Sequence, residues 1–314
     1  MKYKVFVDGQ VGTTGLKIRE YLAKREDLTI LEIDASKRKD KEERKMLLNE
    51  ADIAFLCLPD EAAKESVSLV TNPNTKIIDA STAFRTNDNW VYGLPELHNR
   101  REQIAMSKRV SVPGCHATAF ILSLYPLVQE GIVPKDYPIF AQSISGYSGG
   151  GKKLIQKYES EKKEAYNSPK HYALALHHKH LPEMKKMVGL SYDPIFTPIV
   201  ANYYKGLAVS IALHPRLLQK KMGAKEIHEL LSSYYEGEKF VSVMPYKSDA
   251  NLEDGFFSII GCNDTNRSEI FVFGEEDRVL LVCRLDNLGK GASGAAIQNM
   301  NIMLGLEEGI GLTY

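Results

Sequence analysis

Short apolar runs alternate with amphipathic ones through the first part of the chain, and this alternation constrains the fold more than any other feature. Tyr3–Asp8 reads as a strand and is followed by a glycine turn and helical spacing over Leu16–Lys24. Thr29–Ile33, Asp52–Leu58 and Lys76–Asp79 continue the strands, with helical patterns at Glu42–Asn49 and Glu61–Val70 between them. Strands separated by helices cannot pair as hairpins, so the pattern predicts a parallel sheet with crossover helices. Beyond Cys115 the texture changes. A helical run at Ala117–Gln129 leads into strand patterns at Pro138–Ser145, Ile195–Ala201, Leu207–Leu213, Phe240–Met244, Phe256–Cys262, Glu269–Phe273 and Arg278–Leu285. Helical patterns at Lys152–Ala165 and Ala224–Tyr235 interrupt them, and Gly289–Leu306 is rich in small residues before turning helical. Several strands in succession predict an antiparallel sheet and an α+β second domain.

A chain of 314 residues is long for one core, and two domains are the natural division. Lys and Arg balance Asp and Glu at formal net charge zero, with no basic block, so nothing in the charge pattern calls for nucleic acid. No apolar run approaches the length of a membrane span. The start, Met1-Lys2-Tyr3-Lys4-Val5, enters a strand pattern at once and lacks the shape of a signal peptide. Cys57, Cys115, Cys262 and Cys283 form no paired framework, which fits a reduced, cytoplasmic protein. Cys57, Cys262 and Cys283 lie in apolar runs and read as core residues.

Gly9-Gln10-Val11-Gly12-Thr13-Thr14-Gly15 joins the first strand to the first helix. A turn of this kind can bring backbone N–H groups at a helix N-terminus up to a pyrophosphate, so Gly9, Val11, Gly12, Thr13, Thr14 and Gly15 are candidate dinucleotide contacts. Beyond the second strand, Asp34 favours a free ribose 2′-hydroxyl, whereas Ser36, Lys37 and Arg38 favour a 2′-phosphate. The hydroxyl and cation cluster tips the reading to NADP, with a solvated helix face as its competitor.

Ser111-Val112-Pro113-Gly114-Cys115-His116-Ala117-Thr118 places a cysteine between a short strand and an apolar helix. A thiol at a helix start is eased toward thiolate, and the same amides can hold an oxyanion when it attacks a carbonyl. The competing reading is a small buried residue. Ser145-Gly146-Tyr147-Ser148-Gly149-Gly150-Gly151-Lys152 ends a strand with three successive glycines, either a flexible connection or a cradle for phosphate. His177-His178-Lys179-His180-Leu181-Pro182-Glu183 offers a base for the distant cysteine; adjacent histidines cannot all face one ion, so no metal is expected. Arg85, beyond the Lys76–Asp79 strand, could clamp a carboxylate or phosphate or serve as an ordinary ion-pair partner.

Taken in order along nearly the whole chain, these motifs resemble the N-acetyl-γ-glutamyl-phosphate reductase family in its shorter form. The motifs are Asp8–Leu16, Ser81–Arg85, Tyr92–Glu96, Pro113–Thr118, Ser145–Lys152, His178–Glu183 and Gly289–Gly294. The family is related to aspartate-semialdehyde dehydrogenase and, more distantly, to glyceraldehyde-3-phosphate dehydrogenase. The resemblance implies an α/β chain with a Rossmann domain over residues 1–115, completed by a C-terminal helix at 290–314. A catalytic and oligomerisation domain would span 116–289. It implies NADPH as reductant, an acyl-phosphate substrate reduced through a thioester in arginine biosynthesis, and a homodimer or homotetramer.

By motif, Cys115 would be the nucleophile and His180 the acid/base. Ser145, Gly146 and Asn287 would join the cofactor contacts, and Arg85, Ser148, Gly149, Lys152, His178 and Glu183 would meet the substrate. Ala295 stands where longer members carry Gln or Asn, which leaves Gln298 and Asn299 as candidates for the nicotinamide carboxamide. The alternatives are an aspartyl or aminoadipyl semialdehyde enzyme of the same design, or an NADP-binding sensor without turnover, which would need neither Cys115 nor His180.

Overall fold

The computed structural model describes residues 2–160 and 164–314; Met1 lies outside them, as do residues 161–163 of the helix expected over Lys152–Ala165. Two compact units divide the chain, Met1–Pro113 with Ala292–Thr313, and Gly114–Gly291 with Tyr314. Gly114 and Cys115, expected at the end of the first domain, open the second.

In the first unit, β1 (Tyr3–Asp8), α1 (Thr13–Leu22), β2 (Leu28–Leu31), α2 (Lys41–Glu50), β3 (Ile53–Leu56), α3 (Asp60–Leu69) and β4 (Lys76–Asp79) follow the predicted alternation. β5 (Val91–Tyr92), α4 (Arg100–Met106) and β6 (Arg109–Ser111) extend it. Among the described residues the strands pair only in parallel, in the order β2-β1-β3-β4-β6-β5. Phe6, Leu48, Ala54, Leu56 and Ile77 are buried in one cluster of its core. Burying a side chain the size of Leu or Phe contributes about 1.5–3 kcal/mol each, enough for this row to fix the register of the central strands.

The second unit opens with α5 (Cys115–Gln129), which is apolar nearly all round and almost wholly buried. Pro126 sits inside it and cannot donate to the Leu122 carbonyl one turn back. The Tyr235 hydroxyl donates to that carbonyl instead, at 2.7 Å, so the acceptor is not orphaned. The chain continues through β7 (Phe140–Gly146), α6 (Gly151–Ser160), β8 (Lys170–His171), α7 (Leu181–Val188), β9 (Ile195–Ala201) and β10 (Leu207–Leu213). α8 (Ala224–Tyr234), β11 (Val241–Val243), β12 (Ser268–Gly274) and β13 (Val279–Leu285) complete the sheet, in the order β11-β12-β13-β10-β7-β9-β8. This sheet is mixed rather than antiparallel. β7 pairs β9 in parallel because α6 and α7 lie between them in sequence, and β11 pairs β12 in parallel.

The strand predicted over Phe256–Cys262 does not form. Arg284 of β13 donates to the Ser258 carbonyl at 2.5 Å and lies 5.3 Å from the Phe257 ring and 5.0 Å from Phe271. A side chain at Gly261 would run into that guanidinium. The apolar run therefore packs as a loop whose backbone is met by a cation instead of a neighbouring strand. The small-residue stretch forms a π turn at Gly289–Ser293 and then α9 (Gly294–Met303), which belongs to the first unit. There Tyr3 donates to the Leu304 carbonyl at 3.2 Å and Arg25 to Asn301 at 2.9 Å.

Candidate active site

In the first unit, β1 ends in Asp8, whose carboxylate is buried against Arg44 at 3.1 Å and Ser66 at 2.8 Å. That network fixes the strand end from which the glycine turn departs. Gly9 has a φ of +89°, and a Cβ there would run into the Cys57 carbonyl, so only glycine fits. Gly12 caps α1 without any side-chain cap, and the first turn holds no acidic residue. The helix start is thus a set of N–H groups facing no built-in anion, which suits the pyrophosphate of a dinucleotide. Val11, Thr13 and Thr14 lie on this partly exposed turn.

Beyond β2, Asp34 is turned back on Ser36, whose N–H and hydroxyl donate to one carboxylate oxygen at 2.7 and 2.5 Å. These two hydrogen bonds, the hydroxyl's first, hold the Asp34 carboxyl below its ordinary pKa. Lys37 pairs with Glu43 at 3.2 Å, and Arg38 donates to the Ala35 carbonyl at 2.9 Å.

At the end of β4, burial pushes the Asp79 carboxyl up to about 6, despite the Ser81 hydroxyl at 2.7 Å and the nearby Arg85. Arg85 itself is buried beside it and reaches the Ala80 carbonyl at 3.4 Å. Gln298 and Asn299 are fully buried within this unit. Gln298 donates to Glu96 at 2.9 Å, and Asn299 donates to the Gly93 and Ala295 carbonyls at 2.9 and 2.7 Å. These bonds anchor residues 93–96 to α9.

In the second unit, two helix starts meet. Cys115 is the first residue of α5, capped by Gly114 without a side-chain cap, and is half-buried. His180 caps α7 and is buried, and its ring centroid lies 5.5 Å from that of His116. Glu183, on the first turn of α7, accepts a hydrogen bond from the Gly114 N–H at 3.1 Å. His178 stands edge-on to His180 at 4.7 Å, and its Nδ1 accepts from the His180 N–H at 3.1 Å. A neutral His178 therefore carries its proton on Nε2. Gly291 passes so close that a Cβ there would lie 2.7 Å from the Cys115 Cβ.

His116 and Tyr172 form a chain whose proton order can be deduced. The Ser143 hydroxyl donates to the Ala208 carbonyl at 3.1 Å, so it accepts from His116 Nδ1 at 2.8 Å. Nε2 is then bare and accepts from the Tyr172 hydroxyl at 2.9 Å. Burial lowers the His116 pKa to about 3, aided by His178 and Lys179, so the ring is neutral. Burial, with Cys115 adding to it, raises the Tyr172 phenol well above its ordinary range. The His116–Tyr172 pair beside Cys115 is thus uncharged. Nothing local in the sequence marks Ser143 or Tyr172; the Cys115-His116 pair at a helix start is the one local hint.

The Ser145–Gly151 segment closes β7 with a 3₁₀ turn at Tyr147–Gly150. Asn287 donates to the Ser148 hydroxyl at 2.9 Å and accepts from the Gly206 N–H at 2.8 Å. Asn287, beyond β13, is thereby packed against the Ser145–Gly149 turn, while Lys152 stands exposed on the first turn of α6.

Residues 4–107 match the semialdehyde dehydrogenase NAD binding domain, and residues 115–287 the semialdehyde dehydrogenase dimerisation domain. The chain belongs to the semialdehyde dehydrogenase family. Its relatives include N-acetyl-gamma-glutamyl-phosphate reductase 2 of Nostoc sp., 48% identical over 99% of both chains. The reductase of the same name from Pseudomonas putida is 45% identical over 96% of both. N-acetyl-gamma-glutamyl-phosphate reductase of Mesorhizobium japonicum is 45% identical over 98% of this chain and 100% of its own. Among solved structures, aspartate semialdehyde dehydrogenase II of Vibrio cholerae, complexed with ASA, has a TM-score of 0.71 at 13% identity. It covers 97% of this chain and 98% of its own, a likeness of fold. This semialdehyde dehydrogenase thus binds a nicotinamide dinucleotide through its first unit. No helix among its described residues is long and apolar enough to cross a membrane.

Proposed function

We propose that this chain reduces N-acetyl-γ-glutamyl phosphate to N-acetylglutamate 5-semialdehyde and phosphate with NADPH, as a cytoplasmic enzyme of arginine biosynthesis. The observation that carries this reading is the facing of two helix starts, one bearing Cys115 and the other His180, in a chain whose full-length relatives bear that reductase name.

Cys115 thiolate attacks the acyl carbonyl, forming a C–S bond as the carbonyl electrons move to oxygen. First-turn N–H groups of α5 donate to that oxyanion, and its collapse expels phosphate with the electron pair of the C–O bond. Ser148, Gly149 and Lys152 receive the phosphate, with Arg85 a further anion contact. NADPH, when bound, supplies the hydride that takes the thioester to the aldehyde level. His180 protonates the resulting alkoxide and then takes the proton back, so that the C–S bond breaks, the aldehyde leaves and the thiolate is restored.

The Gly9–Gly15 turn would hold the pyrophosphate, with Ser145, Gly146 and Asn287 as further contacts. Ser36, Lys37 and Arg38 would hold a 2′-phosphate. The 2′-phosphate reading is supported by Asp34, whose carboxylate is bound up by Ser36 and is followed by two cations. A homo-oligomer is supported by the exposed apolar row on the second sheet, where Phe140 pairs Ile195 and Leu280 pairs Ala212.

The test is NADP reduction by N-acetylglutamate semialdehyde beside aspartate semialdehyde, with and without phosphate. The proposal requires phosphate-dependent turnover of the N-acetylated aldehyde; preference for aspartate semialdehyde, or indifference to phosphate, overturns it.

A further inference from the structure

We propose that Glu183 is a positioning residue that locks the start of the Cys115 helix onto the start of the His180 helix. This rests on the roles given above to Cys115 and His180. Glu183 is the third residue of α7, counted from its cap at His180. A glutamate at that position ordinarily folds back onto the N–H of its own cap, forming a capping box. Here the His180 N–H is taken by His178 Nδ1 at 3.1 Å, and the Glu183 carboxylate crosses to the Gly114 N–H at 3.1 Å. One helix therefore lends its first-turn acceptor to another.

The placement is favourable at both ends. A carboxylate on the first turn of α7 meets the positive end of that helix's own dipole. Glu183 is only 1% exposed, so its hydrogen bond to an amide is charge-assisted and little screened. Gly114 has no side chain of its own to cap α5, and it immediately precedes the nucleophile. Fixing its N–H fixes where Cys115 begins relative to His180. The same contact withdraws the Gly114 N–H from anion binding, leaving the amides beyond it to face an oxyanion.

Two substitutions separate geometry from charge. Glu183→Gln keeps an oxygen at the same reach without the charge; Glu183→Asp keeps the charge but falls one methylene short. Both proteins are compared with the parent by thermal melting, by kcat and KM, and by the rate at which iodoacetamide alkylates Cys115 in the protein alone. Positioning predicts that the Asp variant loses about 100-fold in kcat with KM changed by no more than about 3-fold, the cost of roughly an ångström of misplacement. Its alkylation rate departs from the parent's, and the Gln variant, which keeps the hydrogen bond without its charge, loses about 10-fold in kcat at a nearly parental KM. A Gln variant that loses as much kcat as the Asp variant, or parental behaviour in either variant, overturns the proposal. Should the Asp variant fail to fold, the Gln variant decides it: a loss of about 10-fold in kcat with an altered alkylation rate supports positioning, and parental behaviour overturns it. The alkylation arm needs no acyl substrate, so an error in the assigned reaction shows as absent turnover in the parent and leaves this test standing.

Discussion

Two helices in this protein begin in the same way and are put to opposite uses. Both α1 and α5 follow a strand of the first sheet, both are capped by a glycine, and neither has a side-chain cap. The start of α1 is partly exposed and carries no acidic group, so its N–H groups and dipole face outward toward an incoming anion. The start of α5 is buried, and its cap N–H is already taken by an internal carboxylate, Glu183. One helix start is open to a ligand's charge; the other is closed around a thiol. A bare helix N-terminus does not by itself say what it is for. What distinguishes the two is what surrounds them: the first turn of α1 holds no acidic residue, whereas α5 meets a carboxylate, three histidine rings and a tyrosine.

The comparison breaks most visibly at Cys115. Cys115→Ala should lower turnover by about 10⁵-fold or more while leaving dinucleotide affinity, followed by fluorescence titration, at the parental value. A substantially active variant would remove the thiol from the chemistry. Gly12→Asp makes the α1 start resemble that of α5 by adding a carboxylate. Aspartate is a good cap, so stability should change by only about 0.3 kcal/mol, while dinucleotide affinity falls about 100-fold or more. Unchanged binding by calorimetry would show that no anion sits there.

Replacing Ser36, Lys37 and Arg38 together by alanine should cut the preference for NADPH over NADH by about 10-fold or more, read from the two kcat/KM values. A preserved preference would move the 2′-phosphate site elsewhere. The smallest effect belongs to Asp79. Its folded pKa of about 6 lies above the ordinary 3.8, so its burial costs nothing below pH about 4 and lowers stability as pH rises through about 6. Asp79→Asn should therefore raise stability at pH 7, by about 3 kcal/mol at most, and leave it unchanged at pH 4 in denaturant titrations. A gain independent of pH would contradict that.

Much of the first unit is legible in the sequence because its signals are local. β4 falls on the predicted residues, and α1, α2, α3 and β3 fall within a few residues of their patterns, since glycine punctuation and apolar runs act over one element. The candidate site divides differently. Cys115 and His180 are marked by their flanks, yet their meeting is not, because it depends on a Glu183–Gly114 contact between residues 69 apart. Tyr172 and Ser143 carry no local mark for the same reason. Phe256–Cys262 has the composition of a strand, but Arg284, far along the chain, supplies its backbone partner. Gln298 and Asn299 read as amides near a cofactor; that their donors also hold Glu96 and Gly93 depends on partners 202 and 206 positions away, which no local pattern shows. Local pattern specifies elements; distant side chains decide which polar groups remain for chemistry.

The most direct test of the central claim is acyl-enzyme trapping. The protein is mixed with N-acetyl-γ-glutamyl phosphate in the absence of reductant, quenched in acid, and digested for peptide mass measurement alongside a phosphate assay. The account predicts stoichiometric phosphate release and an N-acetylglutamyl adduct on the peptide bearing Cys115. Phosphate released with Cys115 unmodified, or an adduct on another residue, would contradict it.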